Sequence, residues 1–181
     1  IAIGRKYDTL LEVYFDGQGY AQKDEIAQVR KYHKNPNMWD YFLRTRIAVD
    51  SLEDLLDEKE GNLDKVQMLF ADMEEREEAW KELEREGVFE LVGSLQYNIE
   101  INAVGVNKGT GLVNLGKMLG IRREEIMACG DGDNDIAMLK EVGFGVAMAN
   151  AEEKVKAVAD YITESNNDEG VAKAIEKFVL K

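Results

Sequence analysis

From Gly105 onward, the sequence alternates between helical patterns and short apolar runs. Helices are predicted over 110–119, 134–141, 152–159 and 169–180, and strands over 126–129, 144–148 and 161–163. Such alternation is typical of right-handed βαβ units around a parallel sheet. Gly120 and Gly143 are expected at helix C-caps. Because a parallel sheet needs cover on both faces and at both edges, we expect further strands upstream of this chain.

The first hundred residues have a different pattern. A hairpin is predicted around the turn at 16–19, a polar helix over 23–34 and a charged helix over 72–86. Further short strands are predicted over 47–49, 65–71, 89–92 and 95–101. This mixture indicates an α+β layer. The chain is therefore expected to contain an α+β domain over 1–104 and an α/β domain over 105–181.

Composition excludes several classes of partner. A net charge of -13 and a pI near 4.6 disfavour binding to nucleic acid or to an anionic membrane surface. The single cysteine, Cys129, permits no internal disulfide, and no apolar run approaches the roughly 18 residues of a membrane helix. We therefore expect a cytoplasmic protein. If its substrate is anionic, the site must contain local positive charge.

The run Cys-Gly-Asp-Gly-Asp-Asn-Asp at 129–135 lies between a predicted buried strand and a helix. In an open α/β sheet this is the carboxyl end of a strand, where ligands bind. The carboxylates of Asp131, Asp133 and Asp135 repel one another unless a cation joins them, and hard oxygen ligands suit Mg²⁺ or Ca²⁺. The run therefore predicts a metal site.

Two other interpretations explain part of this acidic run. One is a turn that only caps the following helix, which accounts well for one aspartate and poorly for three. The other is a calcium-binding loop, whose first ligands share this alternating spacing. That loop also needs a glycine where Ile136 stands and a glutamate where Val142 stands. A metal site, for Mg²⁺ or Ca²⁺, remains the preferred interpretation.

A lysine could supply the positive charge. The stretch Val-Asn-Lys-Gly-Thr-Gly at 106–111 opens a predicted helix and places Lys108 at its N-terminus. Taken alone, this residue is equally well explained as a solvated surface lysine. A lysine before one βα unit and carboxylates after the next strand can, however, converge on one crevice.

Four ordered motifs carry a family resemblance. They are Gly-Val-Asn-Lys-Gly at 105–109, Gly-Asp-Gly-Asp-Asn-Asp at 130–135, Gly-Val-Ala-Met-Ala-Asn-Ala at 145–151 and Ser-Asn-Asn-Asp-Glu-Gly-Val-Ala at 165–172. Together they resemble the end of the Cof-type branch, subfamily IIB, of the haloacid dehalogenase (HAD) phosphatases. The preceding residues are similar to that branch's cap. The resemblance implies the C-terminal half of a Rossmann-like α/β core over 105–181 and an α+β type-IIB cap, which determines substrate specificity, over 1–104.

The resemblance also implies roles by position. Lys108 matches the catalytic lysine that steadies the nucleophile and the transferring phosphoryl group. Asp131 and Asp135 match the acids that hold Mg²⁺ or its waters, and Asn134 matches a contact to substrate. Asp133 falls at a variable position and is expected to be solvated. Three further residues match a loop beside the site, or are ordinary turn residues: Asn150, Asn167 and Asp168.

The sequence departs from the family at two motifs. The strand followed by Asp-x-Asp-x-Thr, which supplies nucleophile and general acid, is absent, and so is the Ser or Thr motif that follows it. We therefore expect a missing N-terminal segment of the same protein to supply the nucleophile, and residues 1–181 alone to be inactive. The implied function is a Mg²⁺-dependent phosphatase that hydrolyses a small phosphorylated metabolite, such as a sugar phosphate, through an aspartyl-phosphate. The alternatives are a phosphomutase or phosphotransferase, or a non-catalytic binding or regulatory protein.

Overall fold

The chain forms two compact units, Ile1–Val104 and Gly105–Lys181. The structure is a computed structural model that describes residues 1–59 and 63–180. Within these ranges no helix is both long enough and apolar enough to cross a membrane. The assignment of the two units as cap and core stays a prediction.

The first unit is built on a six-stranded mixed sheet with the strand order β3-β2-β1-β4-β6-β5. Its strands are β1 (Thr9–Phe15), β2 (Gln18–Gln22), β3 (Ile47–Val49), β4 (Leu63–Phe70), β5 (Phe89–Val92) and β6 (Asn98–Ala103). Its helices are α1 (Lys23–Ala27), α2 (Val29–Tyr32), α3 (Trp39–Thr45), α4 (Leu52–Glu58) and α5 (Met73–Glu86). All neighbouring strands are antiparallel except β2 and β3, which are parallel. The predicted α+β layer is confirmed.

One face of this sheet is apolar and lies under α4 and α5. Alternate residues point to the same face of a strand, so β1 contributes Leu11 and Val13 to a cluster that also holds Ala79 and Leu83 of α5. Asp72 caps α5 through its side chain, and Gly87 ends the helix with a φ of 67°. The apolar face expected for the helix over 72–86 is confirmed.

Three short helices cover part of the opposite face, where the sequence predicted one helix over 23–34. The predicted helix is interrupted at Gln28, between α1 and α2. The helix α3 was not predicted. Asn35 Oδ1 accepts from the backbone N–H of Asn37, and a 3₁₀ turn from Pro36 leads directly into α3. The Asn35-Pro36 pair, which was predicted to end a helix, therefore also starts one. The side chain of Phe42 in α3 is buried.

The rest of that face carries a polar network. Glu12 is fully buried, yet its carboxylate is paired with Arg46 and accepts from Gln67 Nε2 at 3.0 Å. Arg46 also donates to Tyr14 Oη at 2.7 Å, and Lys65 pairs with Glu100 at 3.0 Å. Burial raises the pKa of Glu12, and the charge of Arg46 opposes that shift. The part of this face that no helix covers is therefore polar, and its side chains form hydrogen bonds and ion pairs with one another.

The second unit holds a three-stranded parallel sheet of order β7-β8-β9. Its strands are β7 (Met127–Gly130), β8 (Phe144–Ala147) and β9 (Tyr161–Ile162), and its helices are α6 (Lys108–Leu119), α7 (Ile136–Glu141), α8 (Glu153–Lys156) and α9 (Gly170–Phe178). The parallel sheet with flanking helices confirms the predicted α/β class. Gly120 caps α6 with a φ of 71°, as expected. Val142 is the C-cap of α7, so the assignment of Gly143 to that position was wrong.

Candidate active site

The N-terminus of α6 places Lys108 beside the acidic run. The side chain of Asn107 accepts from the backbone N–H groups of Gly109 and Thr110, which fixes the first turn of the helix. A Cβ on Gly109 would lie 2.8 Å from the carbonyl oxygen of Ala137, so glycine lets α6 approach α7 closely. Lys108 Nζ then reaches Asp135 Oδ1 at 2.6 Å. The predicted convergence of this lysine with the acidic run is confirmed.

Asp135 is the buried carboxylate of the site, with 5% of the residue exposed. Its Oδ2 accepts from the backbone N–H groups of Asp131 and Gly132 at 2.9 and 3.0 Å. Burial acts to raise the pKa of Asp135, but the bonds from Lys108 and these two N–H groups outweigh it, so the pKa lies below its ordinary value. Asp135 is therefore ionised and held on both oxygens.

Glycine at position 130 is required by this arrangement. A Cβ built on Gly130 would collide with the side chain of Asp135. The last residue of β7 must therefore be glycine for the loop to fold back over its own strand end.

Asp131 is exposed at the carboxyl end of β7. Its Oδ2 accepts from Asn150 Nδ2 at 3.0 Å, and within residues 1–59 and 63–180 its Oδ1 has no hydrogen-bond partner. Asp131 thus presents one carboxylate oxygen to solvent at the edge of the sheet.

The two residues between Asp131 and Asp135 have different surroundings. Asp133 is exposed, as expected, with 45% of its side chain accessible, and its Oδ2 also pairs with Lys154 Nζ at 2.6 Å. The Asn134 Oδ1 lies beside Gly132, and its amide makes no hydrogen bond to the described part of the chain. Lys154 is therefore a second cation at this edge, which the sequence reasoning did not anticipate.

The oxygens at this edge suit magnesium in kind. Among the described residues, no group of three His, Cys, Asp or Glu side chains converges as a metal cage. Mg²⁺ is commonly held by one or two carboxylates, with waters and substrate phosphate completing its shell. Asp131 Oδ1 has no hydrogen-bond partner among the described residues, and the role of Asp131 as a Mg²⁺ ligand stays a prediction. The oxygens of Asp135 accept from Lys108 and the backbone, and its expected role in holding the metal or its waters stays a prediction.

Comparison with known proteins identifies the family. The family model for haloacid dehalogenase-like hydrolases matches residues 2–175. The chain belongs to the haloacid dehalogenase-like hydrolases. The resemblance to the Cof-type, subclass IIB branch is likewise confirmed, since a HAD subclass IIB sugar phosphatase has the same fold with a TM-score of 0.75 and 25% identity. That alignment covers 99% of this chain and 64% of the other.

Further HAD relatives are phosphatases. A 5-amino-6-(5-phospho-D-ribitylamino)uracil phosphatase of Bacillus subtilis is 50% identical over 105 residues, which is 58% of this chain and 42% of the relative. A phosphoglycolate phosphatase of Methanosarcina acetivorans is 41% identical over 81 residues, or 45% of this chain and 36% of the relative. A haloacid dehalogenase-like hydrolase from B. subtilis has a TM-score of 0.79 at 26% identity, over 98% of this chain and 68% of its own. The chain thus matches less than half the length of these two curated relatives.

The candidate site contains two contacts that were not predicted from the sequence. Asn150 was assigned only to a loop beside the site, yet it binds the side chain of Asp131. Lys154 was not singled out, yet it binds Asp133. Both follow β8, the parallel neighbour of β7. The rule that strand ends meet at one sheet edge could have identified both residues as candidates.

Proposed function

We propose that the chain is part of a Mg²⁺-dependent phosphatase that hydrolyses a small phosphorylated metabolite through an aspartyl-phosphate. The observation that carries this proposal is the meeting of Lys108, Asp131 and Asp135 at the carboxyl edge of a parallel sheet in a HAD-like chain. In an acidic protein, this edge combines a cation with an oxygen ligand for a metal. Both are needed to neutralise a phosphate ester.

The proposed reaction has two steps. An aspartate oxygen attacks phosphorus, the bond to the ester oxygen breaks, and a general acid protonates the departing alkoxide. Water then attacks the aspartyl-phosphate and releases inorganic phosphate. Bound Mg²⁺ would neutralise charge on the phosphoryl oxygens. Lys108 would provide a second positive contact to the same group, and Asp135 would hold the Lys108 ammonium in place.

The attacking aspartate is proposed to lie outside residues 1–181. Asp-x-Asp occurs in this chain only within the run 131–135, where Asp135 stands in place of the family's Thr. Among the described residues, β7 is an outer strand of its sheet, so its other edge can accept a further strand. A strand that pairs with β7 in parallel would end beside Asp131. An aspartate after that strand could then share the cation with Asp131.

Residues 1–104 are proposed to form the cap that selects the substrate. The named relatives act on phosphoglycolate and on a phosphorylated ribitylaminouracil, and a structural neighbour is a sugar phosphatase. Small phosphorylated polyols, sugars and hydroxy acids are therefore the substrate classes to test first.

The test uses the intact protein with p-nitrophenyl phosphate, followed by a panel of these substrate classes. We expect Mg²⁺-dependent release of phosphate that is abolished by Asp131→Ala. Asp133→Ala is the matched control and should keep its activity. It removes a carboxylate from the same loop, and that carboxylate pairs with Lys154. Wild-type turnover that survives in Asp131→Ala, or that needs no divalent cation, would contradict the proposal. Transfer to an alcohol in place of water would instead indicate a phosphotransferase.

A further inference from the structure

Asn150 connects the loops that follow the three parallel strands. Its Nδ2 donates to Asp131 Oδ2 at 3.0 Å in the loop after β7. Its Oδ1 accepts from the backbone N–H of Asn166 at 2.9 Å in the loop after β9. Asn150 itself follows β8, so one side chain spans three neighbouring strand ends.

The orientation of the Asn150 amide is determined by its partners. A backbone N–H can only donate a hydrogen bond, so the amide oxygen must face Asn166 and the amide NH₂ must face Asp131. A carboxylate oxygen can only accept, which agrees with that orientation. The Asp131 carboxylate is thereby held by Oδ2, and Oδ1 is left as the oxygen available to a cation.

The backbone around Asn150 is fixed by separate bonds. The N–H of Met148 donates to the carbonyl of Gly130 at 3.0 Å, and the N–H of Ala151 donates to the carbonyl of Met148 at 3.0 Å. Ala151 is buried against Leu139 and Val155. Because this turn is anchored without the amide, loss of the Asn150 side chain should free the Asp131 carboxylate while the turn keeps its place.

The neutrality of Asn150 distinguishes it from Lys154. Lys154 binds Asp133 as a cation and reduces the negative potential of the loop. Asn150 can orient a carboxylate without adding positive charge that would compete with a metal ion. The two residues should therefore affect cation binding in opposite directions.

We propose that Asn150 is a positioning residue that presents Asp131 Oδ1 to the divalent cation of this site. The inference rests on the proposed function, because it assumes that Asp131 is a metal ligand. Partners that orient a metal-binding side chain typically contribute 10–100-fold to metal affinity. Removal of the Asn150 amide should therefore weaken cation binding without changing the protein's charge.

The test measures Mn²⁺ affinity of the metal-free intact protein by electron paramagnetic resonance, with Mg²⁺ competition. We expect Asn150→Ala to bind Mn²⁺ about 10-fold more weakly than wild type, with an unchanged unfolding temperature in the metal-free state. Asn114→Ala, the same change on the exposed surface of α6, is the matched control and should bind as wild type does. Lys154→Ala should bind Mn²⁺ more tightly than wild type, because it removes a positive charge from the site. In steady-state assays, Asn150→Ala should need more Mg²⁺ for half-maximal rate and regain most of its kcat at saturating Mg²⁺.

The outcomes distinguish a failure of this inference from a failure of the proposed metal site. A wild-type protein that binds no Mn²⁺ overturns the metal site and this inference together. A wild-type protein that binds Mn²⁺, with Asn150→Ala binding equally or more tightly, overturns the positioning role alone. If Asn150→Ala unfolds, Asn150→Ser, which is too short to reach both partners, is measured in its place against the same criteria.

Discussion

The buried carboxylate of Asp135 should be the most costly group of the site to remove. It accepts two backbone N–H bonds at 2.9 and 3.0 Å and the bond from Lys108 at 2.6 Å. Asp131→Ala removes the same functional group from an exposed position in the same loop. Comparison of Asp135→Ala with Asp131→Ala therefore separates the structural role of a carboxylate from its role as a ligand.

The expected magnitude follows from these bonds. A hydrogen bond to a charged acceptor contributes about 1.5–3 kcal/mol, so two of them suggest a loss at the lower end of 3–6 kcal/mol, since water can reach the freed N–H groups. The Lys108 side chain is half exposed, so its ion pair adds less than about 1 kcal/mol. We expect Asp135→Ala to lower the free energy of unfolding by about 3 kcal/mol. Asp131→Ala should change it by no more than about 0.5 kcal/mol.

The assay must report on the second unit alone. Both tryptophans, Trp39 and Trp80, lie in the first unit, so fluorescence monitors that unit and acts as an internal control. Hydrogen exchange in increasing urea, followed by mass spectrometry of peptides from residues 127–147, reports the stability of the second unit. Equal protection in Asp135→Ala and Asp131→Ala would refute the conclusion that the buried bonds of Asp135 hold this loop.

Three further predictions follow from the same contacts. Lys108→Ala should lower kcat of the intact enzyme by about 10²–10³-fold, because it removes a charge needed in the transition state. An unchanged kcat would show that Lys108 is an ordinary surface lysine with no catalytic role. Folding lowers the pKa of Asp135. Its contribution to stability is therefore present above the unfolded pKa of about 3.9 and is lost as pH falls through the lower folded value. Hydrogen-exchange protection of residues 127–147, measured as pH is lowered, should show this loss in wild type and not in Asp135→Ala. Arg46→Met should destabilise the first unit by about 3–5 kcal/mol by leaving Glu12 buried without its cation, and Glu12→Gln in the same chain should restore most of that loss in urea unfolding followed by tryptophan fluorescence.

The core of the site could be predicted because its signals are local. Strands β7 and β8 are short apolar runs, and polar residues follow β7 directly, so the carboxyl edge of the sheet was identifiable from the order of elements along the chain. The convergence of Lys108 on the acidic run followed from the same rule. The helix α5 was predictable from its apolar spacing and its terminal glycine.

The errors came from contacts between residues far apart in the chain. Gly143 is not a helix cap; a Cβ there would lie 2.5 Å from Cα of Glu124, so close packing of two segments explains the glycine. The ion pair between Asp133 and Lys154 was not predicted because the two residues lie 21 positions apart in the chain. The helix α3 was missed because a proline that ends one helix can also open another. The close approach of Gly143 to Glu124 has no signal in the sequence beside Gly143.

The most direct test of the account concerns where the nucleophile lies. Residues 1–181 and the intact protein are purified, and both are assayed with p-nitrophenyl phosphate and Mg²⁺, each with its Asp131→Ala variant. Lys108 and the acidic loop supply charge and no attacking aspartate, so we predict turnover by the intact protein that is lost in Asp131→Ala, and no turnover by residues 1–181. Sustained turnover by residues 1–181 that disappears in Asp131→Ala would show that the nucleophile lies within this chain and would contradict the account.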